Sequence, residues 1–512
     1  MNKHYASYLY KRWKPGWLFY VVMFVMIPAS SVLLGSRQYA YTAGLDDVLR
    51  MTRSNVRAAM IVAALIAVLS CYVLPVFMFS YLHRKRSVDL FLSLPISRRA
   101  QIQTEFIVMY AAIMGSFALS ILSAGACGLW MTPGLIQYFA GILALLAHMA
   151  LLIAVLLLLN SLLYMSANNI LDGFIMLGAY TLLPFIIQFA WSAFIRSITV
   201  GSVSADSMII AQWLSPLYSG FINASCLIDP DAVFGVGSQH FSWLFEALLL
   251  GYGVLAFCLN QKQLIGRKAE RAEQLSDSPL AWPFVIHIML FLGLLFVTSS
   301  YETEGMTGAI LYLLILLCLY VTASFIYRRR IIIRPRIFII FLIMLAVTGI
   351  FSEIGWKTKG FGMIYPTNLS PHQDVEFTYY ALVDKSDFTT SNSSYDDEAL
   401  AIDFDGRMSY DDWMNNEELQ KIFNTHMEQS ISAMYENKNR YFSNATMSIS
   451  SVVGPRQEGY SLSHEHQYCL PDGEFLSLEE LKTVSKYIEV TVSSYSTGDS
   501  ETLQQYLQKE GK

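Results

Sequence analysis

The chain has 512 residues, 54% of them hydrophobic and only 15% charged, against about a quarter charged in ordinary soluble domains. Its net charge of −5 conceals two unlike parts: residues 1–351 carry 23 Lys and Arg against 14 Asp and Glu, and residues 352–512 carry 12 against 26. This distribution excludes a single soluble globule and describes an apolar membrane block followed by an acidic, water-soluble block.

Residues 1–16 interleave Lys3, Lys11, Arg12 and Lys14 with Tyr5, Tyr8, Leu9, Tyr10 and Trp13, a mixture suited to an amphipathic interfacial helix. A membrane span needs about 20 apolar residues to cross roughly 30 Å of hydrocarbon. Nine stretches qualify, at about 17–35, 58–81, 105–130, 137–160, 171–195, 241–260, 283–300, 307–327 and 337–351, the last of them short. Loop charge sets their direction. With the N-terminus inside, segments 1–16, 82–104, 161–170, 261–282 and 328–336 hold 18 Lys and Arg, whereas 36–57, 131–136, 196–240 and 301–306 hold 5. The N-terminus is therefore expected in the cytoplasm and residues 352–512 outside the cell. The one dissenting loop is 36–57, with Arg37, Arg50, Arg53 and Arg57.

Between the second and third spans runs His83 to Glu105, HRKRSVDLFLSLPISRRAQIQTE. Ser87 is an expected N-cap, and Val88, Phe91 and Leu92 share one face of a short helix. Pro95 stops that helix, and Ser97 is placed to cap the next. Arg84, Lys85 and Arg86 open the segment; Arg98 and Arg99 close it. Two readings stay open on these residues alone: a cytoplasmic elbow shaped to receive push and pull from another protein, and a basic loop with some buried leucines.

Segment 196–240 contains Met208, Ile209, Ile210, Trp213, Leu214, Leu217 and Tyr218, too short to span and too apolar to float. A re-entrant or interfacial helix pair lining the exit of a cavity, or a helix packed over the span tops, fits equally. Segment 261–282 reads as a basic helical linker with Lys268 and Arg271 near Glu270 and Glu273. The tail reads as α+β: strands at 375–383 and 400–404, an amphipathic helix over 415–438, a hairpin from 445 to 470, and a capping box at Ser477-Leu478-Glu479-Glu480.

No phosphate-binding loop, zinc-protease helix, hydrolase elbow or kinase set occurs. Asp403, Asp405, Asp411 and Asp412 fail the calcium-loop spacing and read as acidic surface. His464 and His466 have no evident third ligand for zinc. Ionisable groups inside spans carry a functional prior: Glu105 at the inner mouth of the third, His148 within the fourth, Glu246 in the outer part of the sixth, His287 near the inner end of the seventh. Glu105 is expected to pair with Arg98 or Arg99, and His148 to make a helix–helix hydrogen bond.

An amphipathic N-terminus, two spans, the basic segment with Leu92-Ser93-Leu94-Pro95-Ile96-Ser97-Arg98, three more spans, a long external loop with apolar helices and a sixth span together resemble the permease subunit of ABC-2-type exporters. The resemblance covers roughly residues 1–265; the remainder looks like larger Gram-positive permeases with an added extracytoplasmic domain. It implies an all-α six-helix core plus about three extra spans and an α+β soluble domain, in a bacterial plasma membrane. It implies a coupling helix from Ser87 to Leu94 with Pro95 to Arg99 at the elbow, gripped by a separate ATPase. The coupling residues are then Arg84, Arg86, Val88, Asp89, Phe91, Leu92, Leu94, Pro95, Arg98 and Arg99, with the apolar face meeting the partner. The chain itself would be no enzyme and bind no cofactor; ATP and Mg would be held by the ATPase. A second permease, identical or paralogous, would complete the pump; nucleic acid is not an expected partner. The rival reading is a membrane sensor or immunity protein whose acidic outer domain captures a cationic peptide.

Overall fold

The computed structural model describes residues 4–11, 45–131, 139–199, 209–228, 241–267, 269–274, 282–328, 334–364, 374–384, 399–437, 445–452, 466–469, 476–494 and 500–510, with Tyr20, Phe24, Ser276, Leu280 and Ile331. Helix α1 covers residues 4–11. The bundle follows: α2 (Leu45–Met78), α3 (Lys85–Leu92), α4 (Arg98–Met131), α5 (Phe139–Ser166), α6 (Ile170–Ile198), α7 (Ile209–Leu214), α8 (Pro216–Ile228), α9 (Trp243–Ile265), α10 (Trp282–Arg328) and α11 (Pro335–Lys357).

Among the described residues, eight helical stretches are long and apolar enough to cross a membrane: Met51–Met78, Arg98–Trp130, Gly141–Ser166, Ile170–Ile198, Trp243–Gln263, Trp282–Ser299, Gly305–Arg328 and Pro335–Lys357. The chain is a multi-pass membrane protein. The expected first span, 17–35, lies outside the described residues except for Tyr20 and Phe24. The stretch expected to be short, 337–351, runs on to Lys357 and reaches membrane length. The helix expected from 58 begins at Leu45, so Arg50, Arg53 and Arg57 stand on its side rather than in a loop.

Helix α10 is a hairpin. Gly305, at φ 75 and ψ −170, breaks it where only a residue without Cβ is comfortable. The two arms then lie together, with Leu290 and Leu294 of the first in one cluster with Tyr320 of the second and Phe341 of α11. A larger cluster gathers α1, α2, α4 and α5 around Leu145, Met149, Leu152 and Leu156. Helix α6 packs on the second group through Phe194, which stacks on Phe351 of α11 at 5.3 Å.

Among the described residues the C-terminal part holds six antiparallel strands, β1 (Asp374–Asp384), β2 (Ala399–Ser409), β3 (Ala445–Val452), β4 (His466–Cys469), β5 (Val490–Ser494) and β6 (Ser500–Thr502), in the order β4-β3-β1-β2-β5-β6. Its helices are α12 (Tyr410–Asn415), α13 (Glu417–Asn437), α14 (Leu478–Val484) and α15 (Leu503–Glu510). Alternation turns Val375, Phe377, Tyr379 and Ala381 inward, where Leu419, Phe423, Met427 and Ile431 of α13 meet them at helical spacing. Ser477 and Glu480 form the expected capping box. The four aspartates do not converge: Asp403 and Asp405 are on β2, and Asp411 and Asp412 sit in the first turn of α12, where negative charge suits the helix dipole.

The sheet domain touches the bundle where α6 ends. The Tyr435 hydroxyl donates to the Ile198 carbonyl at 2.6 Å, and its ring packs on Trp356 at 5.0 Å. That end of α6 is the one away from α3, because the other end begins beside Ser276 and Glu273 of the linker that holds α3.

Candidate functional site

After α2, a short 3-10 turn, Ser80–His83, leads into α3. The helix starts at Lys85, with Arg84 in extended conformation as its N-cap, and ends at Leu92. Ser87 is therefore not the cap; its hydroxyl bonds back to the carbonyls of Tyr81 and Arg84 inside the first turn. Leu94 falls beyond the helix and packs half-buried on the core. Ser97 does accept from the Ala100 amide and caps α4.

The expected apolar docking face is turned the other way. Val88 and Phe91 are buried, and the Phe91 ring stacks on Tyr81 at 4.2 Å. They fasten α3 to its own bundle and are not available to a partner. The side chain of Leu92 lies outside the described residues. What faces outward is Arg84, Lys85, Arg86, Asp89, Ser93, Pro95 and Arg99, all exposed, together with Leu90, which is 65% exposed. Arg86, Asp89, Leu90 and Ser93 follow one another at helical spacing, so the outer face is polar with a single leucine standing proud of it.

Behind Tyr81 lies Glu105, 1% exposed. It does not pair with Arg98 or Arg99. Tyr5 of α1 donates to one carboxylate oxygen at 2.6 Å and Tyr81 to the other at 3.3 Å, while the Gln101 amide donates to the Tyr81 hydroxyl at 2.9 Å. The terminal helix is thus docked on the bundle through Tyr5 and Leu9, both buried, rather than resting on lipid alone. Burial and the adjacent carboxylate hold the Tyr81 hydroxyl far above the ordinary phenol range, so it stays a donor.

A second fastening comes from the linker. It is not a continuous helix: α9 ends at Ile265 and only a 3-10 turn, Ala269–Arg271, follows; Lys268 lies outside the described residues. Past the turn at Gly266, Arg267 points inward, 7% exposed. Its guanidinium donates to the carbonyls of Leu82 and Ala167, each at 3.1 Å, and to that of Met165. Burial lowers its pKa to about 10, which still leaves it cationic at neutral pH. Arg98 donates to the Arg267 carbonyl at 2.9 Å, and Glu273 accepts from the Lys85 amide at 3.3 Å. The Glu273 amide in turn donates to the Asn168 carbonyl, and Asn168 and Asp172, on either side of the α6 N-terminus, both bond to Ser276. Next to this knot His83, 1% exposed, sits edge-on to Tyr164 at 4.5 Å. Burial, then the Arg267 charge, push its pKa down to about 3, so the imidazole is neutral.

No family model, curated protein or solved structure matches this chain.

Deeper in the bundle the structure joins two residues that the sequence left apart. His148 Nδ1 lies 2.5 Å from Glu246 Oε1, and Nε2 lies 2.9 Å from the Gly220 carbonyl. Asn223 donates to the same carboxylate oxygen at 2.9 Å and is itself fixed by the Ser242 backbone. A carbonyl has no hydrogen to give, so Nε2 donates to Gly220 and Nδ1 is left to face the carboxylate. The pair holds α8 in place between α5 and α9. Helix α8 sets Gly220, in its second turn, against Leu152 near the middle of α5, and continues until Leu227 lies beside Gly141. Eleven residues of α5 separate those contacts, about 16 Å of depth. The helix pair α7–α8 therefore enters the bundle rather than lying over it. Gln188 of α6 closes the start of α7 by accepting from the amides of Ile210 and Ala211. His287, by contrast, bonds only within its own helix to the Pro283 carbonyl and meets Tyr320 by ring contact.

Among the described residues no group of His, Cys, Asp and Glu is placed to hold a metal ion. Cys226 forms no disulfide.

Proposed function

We propose that this chain is the membrane-spanning subunit of an ATP-driven exporter of the ABC-2 type, worked by a separate ATPase that docks on α3. The observation that carries the reading is how α3 is mounted. A helix of eight residues, too short to be stable by itself, is held from three sides by the Tyr81–Glu105 clasp, the Arg267 knot and its own apolar face. Yet it keeps Arg86, Asp89 and Leu90 outward. A force applied there passes directly into α2, α4 and the linker. The sequence offers no cradle for ATP, so the energy would come from another chain, with ATP and Mg bound there. In this reading α1, α3 and the linker face the cytoplasm of a bacterial cell, the sheet domain faces outward, and two permeases, identical or paralogous, form the pump.

Co-expression with a candidate ATPase tests it. Leu90→Asp and Arg86→Glu, both exposed and outside the fastenings, are expected to abolish co-purification and stimulation of ATP hydrolysis while leaving the melting temperature of the subunit unchanged. Intact coupling in both variants would remove the proposal. Phe91→Asp and Leu94→Asp are unsuitable probes, because each also breaks core packing.

One observation favours a sensing role for the outer domain. Helix α6 is bonded to the linker near its first residue and to Tyr435 of the sheet domain at its last. A cationic peptide held by the acidic domain would have a stiff rod through which to act on the elbow, and the two roles are compatible.

A further inference from the structure

The four arginines that broke the charge rule are unabsorbed by any of this. Three of them, Arg50, Arg53 and Arg57, lie on α2 at i, i+3 and i+7, and the same stripe continues through Ile61, Ala64 and Val68. Arg57, Ile61, Ala64, Leu65 and Val68 form one wall of a cavity of about 210 Å³. Met149 and Leu152 of α5 form its floor, and α8 supplies the other wall with Phe221 and Ala224. Its lining is apolar except at Arg57 and Ser225. Leu65 and Phe221, on opposite lips, are 48% and 43% exposed, so among the described residues the cavity opens sideways onto the outside of the bundle.

Depth identifies what fits. Arg57 stands 21 residues from Met78, the end of α2 at the elbow. At 1.5 Å per residue that is about 31 Å, one hydrocarbon thickness. With the elbow at one membrane surface, Arg57 is level with the headgroups of the other, and Arg53 lies one turn beyond it. Ile61 to Val68 then run about 6–16 Å below, at acyl-chain depth. We infer that this groove binds an anionic phospholipid, its phosphate against Arg57 and Arg53 and an acyl chain lying along Ile61, Ala64 and Val68. Charge at the mouth, apolar walls below it and a lateral opening are the three features such a molecule requires, and a guanidinium is the side chain best matched to a phosphate. The α8 wall is the helix held by His148 and Glu246, so lipid occupancy bears directly on the element that enters the bundle.

The full-length protein, purified and delipidated in detergent, is titrated with phosphatidylglycerol and with phosphatidylcholine, and bound lipid is counted by native mass spectrometry. Phosphatidylglycerol is expected to bind about tenfold tighter or more, the worth of one hydrogen bond to a charged group. Arg57→Gln is expected to erase that preference while leaving weak binding of both lipids. Ala64→Trp, which fills the tail slot, is expected to remove binding of both. Equal affinities for the two lipids in the unaltered protein, or an undiminished preference in Arg57→Gln, would overturn the inference without any question of misfolding. So would inorganic phosphate displacing the lipid at equal concentration, which would mean a simple anion site. High-yield cross-linking of Ser225→Cys between two copies with no lipid retained would give the groove to a second chain and refute the proposal equally.

Discussion

Replacing Arg267 tests the mounting of the elbow more sharply than any change on its surface. Its guanidinium donates to the carbonyls of Leu82, Met165 and Ala167 from a position that is 7% exposed. Hydrogen bonds from a charged donor contribute about 1.5–3 kcal/mol each, so losing three costs roughly 4.5–9 kcal/mol. Removing the cation also removes its burial penalty. A guanidinium held at about 10 instead of 12.5 is penalised by ~3 kcal/mol. Arg267→Gln should therefore destabilise the elbow by about 2–6 kcal/mol, and Arg267→Lys by nearly as much, because an ammonium on one stem cannot reach three diverging carbonyls. Hydrogen exchange followed by mass spectrometry is the assay. Peptides covering 82–104 and 163–172 should lose protection together, while those from the sheet domain stay as they were. Unchanged protection of 82–104 in Arg267→Gln would refute the idea that the linker holds the elbow.

Tyr5→Phe should lower the melting temperature more than Tyr81→Phe, since its bond to Glu105 is the shorter one; each removes about 1–3 kcal/mol, and a reversed order in a thermal-shift series would contradict the clasp as described. His148→Ala and Glu246→Gln should both loosen α8 and speed maleimide labelling of Cys226, which that helix carries. The double variant should add little beyond either single one, because the two act as a unit; additive rates would mean that they do not. Acid should weaken the elbow through His83. Its folded pKa of about 3 lies below the ordinary imidazole value, so the unfolded segment takes up the proton first. Stability is full above about pH 6.5 and falls by up to ~1.4 kcal/mol per pH unit towards 3. His83→Phe, edge-on to Tyr164 in the same place, should flatten that profile between pH 6.5 and 5 in a melting-temperature titration.

The eight spans among the described residues were legible because hydrophobic length is a local property of the chain, and so were the strands of the tail, where alternation marks Val375 to Ala381. The pairing of β3 with β4 was legible as a hairpin, but the position of β1 at the centre and of β5 beside β2 was not, since nothing local encodes which strands become neighbours. The extension of α2 was missed because Arg50, Arg53 and Arg57 read as loop charge; their spacing of three and four residues was the available signal. The inward turn of Val88 and Phe91 was missed for a different reason. An amphipathic period shows that a helix has an apolar face without showing whether its own bundle or a partner covers it, and here Tyr81 of the preceding turn decides. The contacts of Glu105 with Tyr5 and of His148 with Glu246 join residues about a hundred positions apart, beyond the reach of any window.

Gly305 has a consequence out of proportion to its size. Were the chain to continue straight through it, Trp282–Arg328 would be one rod of 47 residues, about 70 Å long and more than twice the thickness of a lipid core. In the proposed reading the reversal gives three crossings after the linker; a straight passage would give two and deliver the final 155 residues to the elbow's own side of the bilayer. In that reading the address of the whole sheet domain is written in one missing methyl group.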